Sequence, residues 1–198
     1  DLKLQKKHLD QARQKNAKVL DFGDLFCVMQ GKYDPRASKN NIRPEHNTDN
    51  YLDAVINTTV DFFEPYADLL ALVAYGNHET AIRKRRETDL IERFITLLNY
   101  KAGTELTKGL YTGWIKFRFK HEAGGGNRQA YNMNYTHGYG RTYLDEQVHV
   151  CLPTYKEEYL IGEDFHRERG RPPKPIGAYW LRFYVENKTV KYQFIRAK

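Results

Sequence analysis

Seven consecutive apolar residues, Leu69-Leu70-Ala71-Leu72-Val73-Ala74-Tyr75, run directly into Gly76-Asn77-His78-Glu79. A strand with one wet face would alternate, so an unbroken run of this length predicts a central strand covered on both faces. A shorter run, Ala17-Lys18-Val19-Leu20-Asp21-Phe22, passes into Gly23-Asp24 in the same way. A short apolar run closed by glycine reads as a buried strand handing over to a loop. Between the two runs, Leu52, Val55, Ile56, Val60 and Phe63 share one helix face, and Pro65 ends that helix. Beyond the second run, Leu90, Ile91, Phe94, Ile95 and Leu98 fall on one face of a helix over 88–98. Leu4 to Lys15 holds strong helix formers and no Gly or Pro. The order helix, strand, helix, strand, helix is an α/β layer pattern.

After Ala102 the pattern changes. Residues 111–119 alternate, with Trp114, Lys116, Arg118 and Lys120 against Ile115, Phe117 and Phe119. Gly124-Gly125-Gly126 predicts a turn, and 128–135 reads as a Tyr/Asn-rich strand leading to Thr136-His137-Gly138. A short strand is expected over 147–152 and an exposed basic, Pro-rich loop over 167–175. The segments 178–186 and 188–195 flank Asn187 and read as a β-hairpin. No internal repeat or interdomain linker is visible, so the 198 residues are expected to form a single domain.

Composition removes several classes. Aromatics at 14% and apolar residues at 40% exclude a disordered chain. The longest apolar run is seven residues, whereas a membrane helix needs about 20, so no membrane partner is expected. The charged start, Asp1-Leu2-Lys3-Leu4-Gln5-Lys6-Lys7, lacks the apolar stretch of a signal peptide. Two cysteines, Cys27 and Cys151, point to a reducing compartment, the cytoplasm. The net charge of +7 suits an anionic partner, although many basic proteins carry such a surplus for solubility alone.

The chemistry-bearing residues stand at strand ends, where open α/β sheets place their ligand crevice. Asp24, Asn77, His78 and His137 all follow strand-like runs. A carboxylate can bridge two divalent ions, an Asn oxygen is a neutral hard ligand, and imidazole suits Mn, Fe or Zn. A second imidazole beside them can hydrogen-bond a phosphate oxygen or protonate a leaving group. Each residue also has a plainer reading: Asp24 as a cap, His78 as a loop histidine, His137 as a hydrogen-bonded strand-end histidine. Arg83-Lys84-Arg85-Arg86 is either a cationic rim that holds phosphate or a solvated helix face paired with nearby carboxylates. The Tyr-rich strands either stack bases or pack a sheet.

Together, Gly23-Asp24, Gly76-Asn77-His78-Glu79 and Thr136-His137-Gly138 resemble, in order, the middle three motif blocks of the calcineurin-like metallophosphoesterases. The stretches 21–36 and 146–159 also look like the phage and prophage members of that family, which would place the protein in the host cytoplasm. The resemblance implies a four-layer αββα sandwich, two packed mixed sheets flanked by helices. It implies two divalent ions, manganese first, with iron, zinc or nickel as other choices. It assigns metal binding to Asp24, Asn77 and His137 and phosphate contact to His78, with Arg83 and Lys84 expected to bind substrate. The implied activity is phosphoester hydrolysis by a metal-activated hydroxide; the basic balance and the Arg/Lys cluster point to a phosphodiesterase on nucleic acid or nucleotides. The alternative is a degenerate member that binds nucleic acid or protein without turnover. The family's opening Asp-x-His and closing Gly-His-x-His blocks do not occur in the sequence. The expectation is that further segments, before residue 1 and near 140/141, carry them; otherwise the first metal site is lost. Oligomeric state is not readable.

Overall fold

The computed structural model describes residues 1–26, 28, 42–119, 129–138, 155 and 176–198. The expected glycine turn at 124–126, the strand at 147–152 and the basic loop at 167–175 lie outside them, as do Cys27, Cys151, residues 29–36 and all of 146–159 but Tyr155. The protein is mixed α/β, and its described strands form three small sheets. The chain divides into two units. One holds α1 (Leu2–Gln14), β6 (Tyr179–Glu186) and β7 (Thr189–Arg196). The other holds β1 (Val19–Asp21), α2 (Tyr51–Phe63), β2 (Leu70–Val73), α3 (Asn77–Arg86), α4 (Leu90–Ala102), β3 (Thr107–Lys108), β5 (Ala130–Thr136) and most of β4 (Thr112–Arg118). Among the described residues, no helix is long and apolar enough to cross a membrane.

In the larger unit, β1, β2 and β3 make a parallel sheet with β2 in the centre. The pairs Leu20–Leu72 and Asp21–Val73 put the ends of β1 and β2 level. Both chains therefore leave the sheet at the same edge. The central position of β2 agrees with its apolar run, and Leu70, Leu72 and Val73 are buried, but Ala71 is exposed. Leaving a single methyl group in water costs little, so an apolar run tolerates one open position.

Helices α2 and α4 carry the faces that their periodicity predicts. Val55, Ile56, Val60 and Phe63 are buried on α2, and Leu90, Ile91, Phe94, Ile95 and Leu98 on α4. The ring of Phe94 meets Phe26 and Phe63 edge-on, each with centroids 6.0 Å apart. Edge-to-face pairs of this kind add about 0.5–1.5 kcal/mol beyond area burial. The Phe26 contact ties the loop after β1 into the helical core. Pro65 closes α2 as expected, and a 3-10 turn, Glu64–Leu69, leads into β2. Hydrophobic periodicity does not mark α3, because only Glu79 and Ile82 are buried along its ten residues.

Strands β4 and β5 form the second sheet, each alternating exposed and half-buried residues. Tyr135 lies against Phe22, with ring centroids 5.0 Å apart. Its ring also fills the space where side chains at Gly109 and Gly113 would stand. The smaller unit contains the expected hairpin. β6 and β7 pair antiparallel from Tyr179–Arg196 to Glu186–Thr189. Asn187 and Lys188 make the turn with φ of 51° and 62°, the left-handed pair of a type I′ turn.

Candidate metal centre

Two loops at the C-terminal edge of the parallel sheet build the site, and they touch backbone to backbone. A Cβ on Gly23 would stand 2.6 Å from the Gly76 nitrogen and the Tyr75 carbonyl. A Cβ on Gly76 would stand 2.0 Å from Asp24 Oδ1 and 2.3 Å from the Asp24 nitrogen. Neither position has room for a side chain. Gly23 also has φ of +107°, a left-handed conformation that L side chains rarely adopt. The paired glycines of the two motifs therefore permit one close approach.

Glu79 fixes that approach. Its side chain is completely buried. Oε1 accepts the Phe26 N–H at 2.8 Å, and Oε2 accepts those of Gly76 at 2.9 Å and Asp24 at 3.2 Å. The Gly76 bond is one half of a helix capping box, the N3 glutamate reaching back to the residue that starts the helix. The other two bonds reach across to the loop after β1. Burial pushes the Glu79 carboxyl up to about 7, helped by the Asp24 charge and opposed by the N–H donors.

Asp24 stands at the mouth of the cleft with φ of 60°. Its Oδ1 accepts the backbone N–H of His78 at 3.0 Å. Its Oδ2 lies 3.2 Å from His137 Nε2 and 3.8 Å from His78 Nε2. Burial alone would raise the Asp24 carboxyl. The His137 hydrogen bond, the His78 N–H and the two imidazoles outweigh it and hold the group below its usual range.

His137 follows β5 and is anchored by its own N–H on the Tyr111 carbonyl at 2.9 Å. Its Nδ1 lies 2.9 Å from the Phe22 carbonyl oxygen. A carbonyl only accepts, so Nδ1 carries a proton. Nε2 then faces two oxygens, Asn77 Oδ1 at 2.9 Å and Asp24 Oδ2 at 3.2 Å. In a neutral ring these are three lone pairs aimed at one region. Either a second ring proton or a cation must lie among them. The bond to Asp24 raises the His137 pKa and stabilises the doubly protonated ring. His78 has its Nδ1 3.2 Å from the Phe26 carbonyl, which turns Nε2 toward Asp24.

All four residues expected around the metal and phosphate thus meet in one cleft: Asp24, Asn77, His78 and His137. Arg83 and Lys84 do not join them there. They lie on the exposed C-terminal half of α3, with Arg83 over the Tyr75 ring at 5.5 Å. Six residues of helix carry Arg83 about 9 Å along the axis from Asn77. At that end the cations meet the negative end of the helix dipole.

Three further residues belong to the site. Glu79 is visible in the sequence as a glutamate three residues after the glycine that starts a helix, the spacing of a capping box. The ring of Tyr111 stands edge-on to His137, with centroids 5.3 Å apart. Asp21 is half-buried at the end of β1, accepts the Gly23 N–H at 2.9 Å, and is pushed up to about 6 by desolvation. No sequence signal separates Tyr111 from the other tyrosines, and Asp21 reads only as the polar end of an apolar run.

Among the described residues, no group of three or more His, Cys, Asp or Glu forms a metal cluster. Asp24 and His137 reach three donors only with the Asn77 amide oxygen. Comparison with protein-family models, with curated proteins and with solved structures returns no match for this chain.

Proposed function

We propose that the protein is a divalent-metal-dependent phosphoester hydrolase of the calcineurin-like type, built on a four-layer αββα sandwich and acting as a phosphodiesterase on nucleic acid or nucleotides in the cytoplasm. One observation carries the reading. His137 Nε2, Asn77 Oδ1 and Asp24 Oδ2 converge while the other ring nitrogen of His137 is committed to a carbonyl. This mixed N/O donor set fits a borderline divalent ion such as Mn²⁺, with Fe, Zn or Ni as alternatives. Asp24, Asn77 and His137 would hold it, and a second ion would share the Asp24 carboxylate. When bound, such ions polarise a phosphoryl oxygen and lower the pKa of water at the site.

The chain's own groups supply the rest. His78 has one ring nitrogen tied to the Phe26 carbonyl, so its other nitrogen is oriented toward a phosphate held beside Asp24. From there it donates a hydrogen bond to a phosphoryl oxygen or a proton to the leaving alkoxide. Glu79 positions Asp24 and Gly76 without facing the substrate. Arg83 and Lys84 would meet only the outer part of a long substrate.

A second reading, a member that binds without turnover, draws on the donors available: among the described residues they suffice for one ion. Hydrolysis of a chromogenic phosphodiester with Mn²⁺ tests both. Wild type should turn over and lose activity in chelator. Asp24→Ala and His137→Ala should each lose at least about 100-fold, since even groups behind metal ligands are worth about 10–100-fold. Equal rates in all three proteins remove the site. No turnover in wild type with retained Mn²⁺ binding favours the second reading.

A further inference from the structure

The outer face of the β4–β5 sheet is not accounted for by this chemistry. Its β4 residues in the larger unit are Thr112, Trp114 and Lys116, all exposed, while Gly113, Ile115 and Phe117 between them are half-buried. The backbone bonds His137 N–H to Tyr111 O and Phe119 N–H to Gln129 O fix an antiparallel register. In that register Trp114 stands opposite Asn134, and Lys116 opposite Asn132. The tyrosines of β5 are on the other side, and Tyr135 is packed against Phe22 and Gly113.

Trp114 is 73% exposed. Tryptophan is highly buried on average, so an indole this exposed on a strand face is available as a stacking platform. Its neighbours on this face are Thr112, Lys116, Asn132, Asn134 and Thr136, with no carboxylate among them. An aromatic platform beside a cation and amides, free of acidic groups, matches the chemistry of a base stacked next to its phosphate. A protein partner's apolar patch would instead require a wider apolar surface than one indole among polar residues. The strand pair runs toward the site at one end, where Tyr111 and His137 pair, and by the alternation their side chains fall on the opposite side of the sheet from Trp114.

We propose that the outer face of β4 and β5 is a track for single-stranded nucleic acid, with Trp114 stacking on a base and Lys116 contacting the adjoining phosphate. Asn132 and Asn134 offer amide hydrogen bonds to the same strand. This deepens the phosphodiesterase reading and rests on it only for where the bound strand leads. A strand on this face would approach the end of the sheet that carries His137, three residues beyond Asn134, and would have to pass round that end to reach the site. A duplex has its bases stacked on one another and cannot offer one to the indole, so single strands are preferred.

The test is binding of a fluorescein-labelled oligothymidylate of about 15 nucleotides to the full chain, by anisotropy, in EDTA so that nothing is cut. Wild type should bind it more tightly than a duplex of equal length, and less tightly as salt rises. Trp114→Ala should weaken binding about 10-fold, and Trp114→Phe should recover most of that loss. Lys116→Glu should weaken binding and flatten the salt dependence by about one unit of slope. Trp114 is exposed, so circular dichroism should show all variants folded. Affinity unchanged in Trp114→Ala, or equal for duplex and single strand, overturns the proposal. So does a dimer that Trp114→Ala dissociates while oligonucleotide binding stays the same, which assigns the face to a second copy. Hydrolysis of the small diester by wild type is measured alongside. Its absence with Trp114-dependent binding defeats the hydrolase and leaves the track. Its presence with Trp114-independent binding does the reverse.

Discussion

The loop pair at the candidate site and the β6–β7 hairpin are specified in opposite ways. Each hairpin residue pairs with a neighbour close in sequence, and the turn at Asn187 and Lys188 sets the register. The loop pair is held by contacts between residues more than fifty positions apart: Glu79 with Phe26 and Asp24, His78 with Asp24. The hairpin is largely exposed, whereas Glu79 and Phe26 are almost wholly buried. Local rules therefore suffice for one region. The other depends on the parallel sheet, whose register brings the two loops level. A substitution should be severe where two backbones abut and mild where a turn can relax.

The largest expected effect is at Gly76. Gly76→Ala places a methyl 2.0 Å from Asp24 Oδ1 and 2.3 Å from the Asp24 nitrogen. Overpacking a tight site costs about 1–3 kcal/mol, and more where backbone must move. A loss of about 3 kcal/mol is expected by denaturant unfolding, with Mn²⁺ affinity falling as Asp24 shifts. Wild-type stability in Gly76→Ala would mean that the two loops do not abut.

Glu79→Gln comes next. The replacement keeps one acceptor oxygen and turns an NH2 group toward backbone donors. At least one buried N–H loses its partner, at about 1–3 kcal/mol. About 2 kcal/mol in the denaturant midpoint is expected, with the helix itself intact by circular dichroism. A cost of a few tenths would show that Glu79 is only a helix cap, without a role across the loops.

These effects explain what could be read in the sequence. The α/β order, the helix faces of α2 and α4, the alternation of β4 and β5, and the hairpin all follow from periodicity and turn residues. Those signals are local, and the elements expected at 51–65, 111–119 and 178–195 appear within a few residues of those bounds. The candidate site was legible in part because Asp24 and Asn77 each follow a glycine at a strand end and His137 follows a strand-like run. The position of Arg83 was not legible. A run of four cations gives no direction, and only the helix shows that they stand at the far end from Asn77. The role of Glu79 across the loops has no sequence signal, because its bonds to Asp24 and Phe26 span the fold.

Asp89 lies between the two extremes. It caps α4 by accepting the Glu92 N–H at 3.0 Å, a local contact, and also bonds to the Tyr75 hydroxyl and pairs with Lys108 at 3.5 Å. Burial alone would raise its carboxyl. The Glu92 N–H, the Tyr75 hydroxyl and the charges of Lys108 and Arg83 prevail and hold it below the usual range. Asp89→Ala should cost about 1 kcal/mol as a lost cap. A depressed folded pKa contributes stability above the unfolded value of about 4, and that contribution fades as pH falls through the folded value. The gap between wild type and Asp89→Ala should thus narrow below about pH 4. Asp89→Asn keeps the cap, so a pH-dependent difference between Asn and Asp isolates the charge. A gap that stays constant down to the acid limit would show the cap acting alone.

The smallest effect is in the hairpin and has the opposite sign. Lys188 adopts φ of 62°, where an L side chain is strained by about 1 kcal/mol. Glycine removes that strain and completes an Asn-Gly type I′ turn, but it also loses more entropy on folding, about 0.5–1 kcal/mol. Lys188→Gly should therefore gain at most about 0.5 kcal/mol. Amide exchange along β6 and β7 should slow by about twofold, with no change at the loops after β1 and β2. The Gln129 side chain would keep its bond to the carbonyl of residue 188, because that contact is to backbone. Faster exchange in the variant would mean that the lysine side chain itself holds the turn, and that the hairpin is less locally determined than its register suggests.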